Sequence, residues 1–321
     1  MNFLKTASVC PKVVPAHPEA NADEIIRLIK DLEAAKVQVA VFPELAVTGA
    51  TVGDLLFQDR LWTKTAAALD RIREASRGNE LFFVVGSPFR TGNLLFNAAV
   101  AFQNGRILGV VPKTHLSSNP PLNENRWFST PWQACPGTVS LGGEEVPFGA
   151  LLFQSGDVTL GIEIGDDLTA PSPPSQSLAL SGADLILCPA ASFELAGKAA
   201  MRRQLVTSLS GRCQLGYVYA SAGVDESTTD LLYSGHLMIA ENGELLLEND
   251  RFQTQSEYIT TWIDVEKLKN LKLRNSTLRT VASPACTRVP FTLVPSQLES
   301  FDRPVDPSPF FPEDPAILKE L

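Results

Sequence analysis

Two apolar runs in this chain end on ionisable side chains, and a third ends on none. Ala40-Val41-Phe42-Pro43-Glu44-Leu45 closes on a carboxylate, Gly109-Val110-Val111-Pro112-Lys113-Thr114 closes on an ammonium, and Val158–Ile164 stops at Gly165-Asp166-Asp167. Carboxylates move protons and ammoniums stabilise developing negative charge. The end of a buried strand is a good place for such groups, because the sheet behind fixes the side chain while the turn opens it to a cleft. Each charge also has a plainer reading, a strand-end group facing water. At the third turn the corresponding residue is glycine, which has no side chain to react.

The elements that must position these groups follow from hydrophobic period. Val158, Leu160, Ile162 and Ile164 alternate with Thr159, Gly161 and Glu163, which predicts a strand. Phe3–Val9 and Val37–Phe42 read as strands around an amphipathic helix at Ala22–Ala35, whose apolar side carries Ile25, Ile26, Leu28, Ile29 and Leu32. A second helix at Leu61–Ser76 precedes a strand at Leu81–Val85 and a hairpin of Asn97–Phe102 with Ile107–Val111 around Asn104-Gly105. A less regular stretch covers Leu116–Gly149. Beyond it the pattern predicts a strand at Leu185–Cys188, a long helix at Lys198–Cys213, and strands at Gly216–Ala222, His236–Ala240 and Tyr258–Ile263. Helices alternating with apolar strands argue for an α/β layered domain.

A length of 321 residues, 44% of them hydrophobic, favours one large core with a tail over two equal domains. The boundary falls near residue 280, giving a domain over 1–280 and an arm or linker over 281–321. Eight of the 23 prolines lie in Ser283–Leu321, and a stretch such as PVDPSPFFPEDP holds neither a helix nor a central strand. A net charge of -9 supplies no basic surface for nucleic acid, and no apolar run is long enough to span a membrane. The N-terminal MNFLKTASV reads as a short strand rather than a signal peptide, so the expected location is cytoplasmic. Cys10, Cys135, Cys188, Cys213 and Cys286 show no CxxC spacing, and neither a disulfide framework nor a zinc site is expected.

The strand-end Glu44 and Lys113 together resemble the nitrilase superfamily of carbon-nitrogen hydrolases, whose amidases use a Glu–Lys–Cys triad. The resemblance narrows over Gly161–Asp167 with Pro171–Ser175, then Ser177–Ala183, Ala191-Ser192-Phe193-Glu194 and Gly197-Lys198. It continues through Glu226-Ser227-Thr228-Thr229-Asp230-Leu231 and Gly235-His236 with Met238–Glu244. These motifs are similar to the N-terminal glutaminase domains of glutamine-dependent NAD synthetases, from about residue 1 to about residue 280. The resemblance implies a four-layer α-β-β-α sandwich. It also implies that Glu44 is the base that activates a nucleophile, that Lys113 stabilises the oxyanion, and that Glu124 in Asn123-Glu124-Asn125-Arg126-Trp127-Phe128 is the accessory glutamate.

The nucleophile departs from the pattern. Where the family has Glu-Ile-Cys-Glu-Asp-Leu-Trp, this chain has Glu163-Ile164-Gly165-Asp166-Asp167-Leu168-Thr169, which makes Gly165 a vacant nucleophile position. The family's Thr-Gly-Tyr is Thr48-Gly49-Ala50, and its Lys-Thr-Tyr-Leu-Pro is Lys113-Thr114-His115-Leu116-Ser117. Ala50, Asp166, Thr169 and Ser192 would line the substrate pocket, with aromatic walls replaced by small or polar residues. A fold retained after its chemistry was lost is the expectation that follows.

Other candidates are weaker. His115 and His17 read as loop residues, His236 as a structural hydrogen-bonding residue, and Asp166-Asp167 as too sparse for a cation, so no metal and no cofactor are assigned. Ser181-Gly182-Ala183-Asp184 is a poor match to the Ser-Gly-Gly-x-Asp-Ser phosphate loop of the synthetase half. The expected function is therefore that of a catalytically silent glutaminase homologue with a structural, oligomerising or regulatory role in NAD biosynthesis. Its expected partners are further copies of itself, with Phe301, Phe310 and Phe311 on an exposed arm, and an ammonia-dependent NAD synthetase domain or subunit. Two alternatives stand beside this: an active hydrolase using another thiol, of which Cys188 is the best placed, and a segment of a longer enzyme.

Overall fold

Runs such as Phe82-Phe83-Val84-Val85 have no polar face, so a strand made from them must be covered on both sides. In the computed structural model, which describes residues 3–118, 122–131, 137–280, 286–294, 301 and 303, two stacked sheets with outer helices provide that cover. The N-terminal half contains β1 (Phe3–Cys10), α1 (Pro18–Ala34), β2 (Val39–Val41), α2 (Asp59–Ala75), β3 (Phe82–Thr91), β4 (Leu94–Gln103) and β5 (Arg106–Pro112). A small ribbon of β6 (Thr138–Leu141) and β7 (Glu144–Pro147) follows, then β8 (Leu151–Ser155), β9 (Val158–Ile162), α3 (Pro174–Leu180), β10 (Leu185–Ala190), α4 (Lys198–Cys213) and β11 (Gly216–Ser221). The remainder is β12 (Leu237–Glu241), β13 (Glu244–Glu248), β14 (Glu257–Asp264), α5 (Val265–Arg274), α6 (Ser276–Thr280) and β15 (Thr287–Pro290).

One sheet runs β14-β1-β2-β3-β4-β5 and the other β13-β12-β11-β10-β9-β8-β15. Strand alternation divides the apolar side chains among three layers. Phe83 and Val85 pack outward with Ile25, Leu28 and Ile72 of α1 and α2, whereas Phe82 and Val84 pack inward with Phe153, Leu185 and Leu187 of the facing sheet. On the far side Ile186, Cys188 and Tyr217 meet Leu178 of α3 and Val206 of α4. The molecule is a four-layer α-β-β-α sandwich, as the sequence resemblance implies.

Several boundaries differ for local reasons. The first helix starts at Pro18 instead of Ala22, because proline suits the first turn and the His17 ring accepts a hydrogen bond from the Ala20 N–H at 3.1 Å. Asn104 and Gly105 take φ of 48° and 73°, which closes β4 onto β5 as expected. Asn242 and Gly243, at 49° and 91°, make a second such turn that adds the unanticipated β13. The boundary near residue 280 also shifts in its consequence: Thr287–Pro290 pairs with Leu151–Gln154 and extends the second sheet, so this part of the proline-rich end is not a free arm. Phe301 lies against Phe3 and Trp262 of the same chain, with ring centroids at 4.9 and 6.4 Å. Phe310 and Phe311 lie outside the described residues. No helix among the described residues is long and apolar enough to cross a membrane.

Candidate active site

The three strand ends singled out in the sequence meet at one end of the sandwich. Glu44 leaves β2 through Phe42 and Pro43, and its loop presses on β3 at Gly86, where a Cβ would come within 2.3 Å of the Pro43 carbonyl. Hydrogen bonds from Gly86 N–H to the Pro43 carbonyl at 3.1 Å and from Glu44 N–H to the Ala190 carbonyl at 3.2 Å fix the loop between the two sheets. Leu45 adopts φ of 54°, costly for a branched side chain and characteristic of backbone held in place at a functional site. Lys113 directly follows β5, whose register with β4 sets Pro112 opposite Ala98; the Lys113 N–H then donates to the Asn97 carbonyl at 2.8 Å.

The side chains converge on one ammonium. Lys113 Nζ donates to Glu44 Oε1 at 2.7 Å and to Glu124 Oε1 at 2.9 Å. Asn97 Nδ2 donates to the same two oxygens at 2.6 and 3.1 Å. Glu44 Oε2 accepts from Ala191 N–H, and Glu124 Oε2 from Ser117 N–H, each at 2.8 Å. All four side chains are buried. Burial opposes charge on Lys113, but Glu44, Glu124 and Asp166 outweigh it and hold the ammonium well above its ordinary pKa. Burial raises the Glu44 pKa; Lys113 opposes that shift, and Glu124 and Asp166 reinforce it. The Lys113 shift comes from the surrounding carboxylates, whereas the Glu44 shift comes first from burial, with the neighbouring carboxylates adding to it.

Gly165 lies beside this cluster with φ of 53°. A Cβ there would stand 2.3 Å from Glu44 Oε2 and 3.0 Å from its Cδ, so the Glu44 carboxylate occupies the space that a side chain at 165 would need. The next residue, Asp166, lines the pocket, while Asp167 turns inward and serves the backbone. Asp167 accepts from the N–H groups of His115 at 2.6 Å, Ile164 at 3.1 Å and Thr114 at 3.2 Å, tying the loop after β5 to the turn after β9. Burial pushes its pKa up to about 7. His115 contributes its backbone here, not its ring. Glu163 accepts from Tyr217 Oη and from Ser175 N–H, and is a buried anchor of the same turn.

The inner pocket encloses only about 30 Å³, room for one or two waters. Its walls include Leu45, Ala50, Leu56, Trp127, Phe128 and Tyr233. Three aromatic residues thus remain, which corrects the expectation of a pocket stripped of aromatic walls; Trp127 and Phe128 were legible only as part of the Glu124 motif. Thr169 is exposed, its hydroxyl donating to the Asp166 carbonyl at 2.8 Å, and it stands outside the pocket. Ser192 is buried against Ser221, and the pocket is lined by its neighbour Ala191 instead. Cys188 is excluded as a replacement nucleophile: strand alternation turns it into the helical layer beside Leu178 and Val206, fully buried, and burial first, then Glu163, raises its thiol pKa well above the ordinary value.

Asn97 and Tyr233 are site residues that the sequence reading missed. Asn97 had a signal, being the one polar residue in the run Leu94–Phe102. Tyr233 had none. Among the described residues, no group of three or more His, Cys, Asp or Glu side chains is arranged to hold a metal ion.

Comparison with known proteins agrees with this fold. The carbon-nitrogen hydrolase family profile matches residues 5–272. The glutamine-dependent NAD(+) synthetase of Mycobacterium tuberculosis is 35% identical over 329 residues, covering 99% of this chain and 48% of that protein. The crystal structure of a glutamine-dependent NAD(+) synthetase from Cytophaga hutchinsonii superposes with a TM-score of 0.73 at 26% identity, over 82% of this chain and 43% of that one. A carbon-nitrogen hydrolase from Helicobacter pylori shares the fold, with a TM-score of 0.69 at 15% identity over 87% of this chain and 96% of that one. The chain spans about half the length of the curated synthetases it matches.

Proposed function

The chain belongs to the carbon-nitrogen hydrolase family, and from that premise we propose that it is a glutaminase-domain homologue of the NAD synthetase line in which the covalent chemistry is absent. Gly165 stands at the vacant nucleophile position of this reading. The observation that carries it is the closure of Glu44 Oε2 onto Gly165, to 2.3 Å from where a Cβ would lie. Base, cation and accessory glutamate are assembled, and the position they would serve is filled by the base itself. Among the described residues lining the pocket none carries a thiol, and the one hydroxyl belongs to Tyr233. Removing a covalent nucleophile costs orders of magnitude in rate, leaving what polar groups alone supply.

A pocket this small supports the same reading, since sites for small molecules enclose roughly 300–1,000 Å³. The role that remains is structural, oligomerising or regulatory in NAD biosynthesis, in the cytoplasm. Its partners are further copies of itself and an ammonia-dependent NAD synthetase domain or subunit. Relatedness to the synthetases supports the pathway; the missing side chain at 165 supports silence.

The test is intact-protein mass after incubation with an electrophilic glutamine analogue. No adduct on any residue of the Glu44–Lys113 site is expected. A stoichiometric adduct there would overturn the reading.

A further inference from the structure

The inner pocket has a neighbour. A surface groove of about 310 Å³ lies against it, lined by Phe57, Trp62, Arg90, Asn93 and Ser129 among others. Leu56 and Trp127 line both spaces and form the wall between them. This wall is not part of the three main packing layers. It belongs to a satellite cluster in which Leu45, Val52, Leu56, Leu61, Leu95 and Phe128 are buried, with Trp62 and Trp127 packed against them. Small satellite clusters open at lower free energy than a main core.

A surface clamp holds the wall shut. Asp54, in the short turn Gly53–Phe57, accepts from Arg126 Nε at 2.8 Å, from Arg126 Nη2 at 2.6 Å and from Trp127 Nε1 at 2.8 Å. Trp62 Nε1 donates to the Leu56 carbonyl at 2.8 Å, which pins the other end of the turn. The Asp54 and Arg126 side chains are 58% and 55% exposed, so the clamp is accessible to solvent and readily exchanged for water.

We infer that the turn at Gly53–Phe57 and the segment Leu122–Phe128 are a latched cover, and that parting Leu56 from Trp127 joins pocket and groove into one ligand-sized site. The joined site takes a small molecule with an N–H donor head and a planar body. At the inner end Glu44, Glu124 and Asp166 line the pocket beside one ammonium, Lys113, an excess of acceptors. At the outer end the indoles of Trp62 and Trp127 and the ring of Phe57 offer flat apolar faces to stack a ring or receive a cation. The inference concerns access and binding, and holds whether or not anything is turned over.

Hydrogen exchange and ligand binding test it together, using benzylamine as the probe and benzoate as the control. Asp54→Ala is expected to speed exchange at least fivefold in residues 50–57 and 122–128 together, leaving β3 and β4 unchanged. The same variant should bind benzylamine at least threefold more tightly, because the cost of populating the open form falls. Leu56→Trp, which fills the passage, should abolish that binding, and benzoate should not bind to any variant. If Asp54→Ala does not fold, Asp54→Asn, which keeps an oxygen for Trp127, gives the same readout at smaller amplitude. Exchange that changes in only one segment or in neither, or benzylamine binding indifferent to Leu56→Trp, would overturn the latch.

Discussion

Glu44 and Glu241 are both buried in ion clusters, and they differ in the direction of charge imbalance. Glu241, at the end of β12, is met by Lys267 Nζ at 2.9 Å, by Arg303 at 2.6 and 2.9 Å, and by the Asp264 N–H at 2.8 Å. Burial opposes its charge, yet Arg303, the Asp264 N–H and Lys267 pull its pKa below the ordinary carboxylate range. Glu44 has one cation, shared with Glu124, and its pKa moves the other way. A carboxylate with surplus cations is a staple that joins β12 to the start of α5 and to Arg303. Carboxylates that outnumber their cation are what a proton-handling site needs and what a fold alone would discard, because the imbalance is destabilising. The Glu44 cluster therefore holds an excess of carboxylates beside a glycine.

Removing the cation on each side breaks the comparison most sharply. Lys113→Met leaves two buried carboxylates unpaired and should destabilise by about 3–5 kcal/mol, read as a fall in the urea midpoint. Arg303→Met leaves Lys267 on Glu241 and should cost about 1.5–3 kcal/mol, the range for a hydrogen bond to a charged group. Equal losses would mean that the two clusters are not different in kind.

The pH dependence separates them next. Asp167, raised to about 7, and Glu44, raised as well, are protonated more readily in the folded than in the unfolded chain. Their contribution is present at pH below the ordinary carboxylate range and is lost as pH rises toward 7, a decline of about 4 kcal/mol from Asp167 alone by proton linkage. Glu241 acts oppositely, its contribution being lost as pH falls through its lowered value. Stability should thus peak in acid, near the ordinary carboxylate range at about pH 4, and Glu44→Gln should flatten the decline above it. A maximum above pH 7 in urea titrations would contradict the assignment.

Much of this site was legible because strand ends are local. Glu44 and Lys113 each end an apolar run, and the resemblance placed Glu124 with them. The structure brings both glutamates to the Lys113 ammonium. What the sequence hid depends on neighbours distant in the chain. Asn97 reaches the site only through the β4–β5 register, Tyr233 enters from a loop far along the chain, and Cys188 turns away because its strand alternates between two buried layers. Thr287–Pro290 became a strand despite its proline because it sits at a sheet edge, where a missing N–H is tolerated.

Gly165 gives the finest adjustment. Gly165→Ala should cost about 1–2 kcal/mol, since φ of 53° disfavours any side chain and Glu44 must move aside. Gly165→Cys carries the same strain and places a thiol against the Glu44 carboxylate, the base that would have to activate it. It should alkylate with iodoacetamide at residue 165, yet hydrolyse glutamine poorly, because the inner pocket encloses only about 30 Å³. Family-like turnover by Gly165→Cys alone would show that the pocket is intact; an inert thiol would show that residue 165 is not the vacant position.

Ammonia release from glutamine by the unaltered protein, measured beside Glu44→Gln and a buffer blank, tests the central claim most directly. Rates indistinguishable among the three are expected, because the base has nothing to activate. Turnover by the unaltered protein that Glu44→Gln abolishes would contradict it.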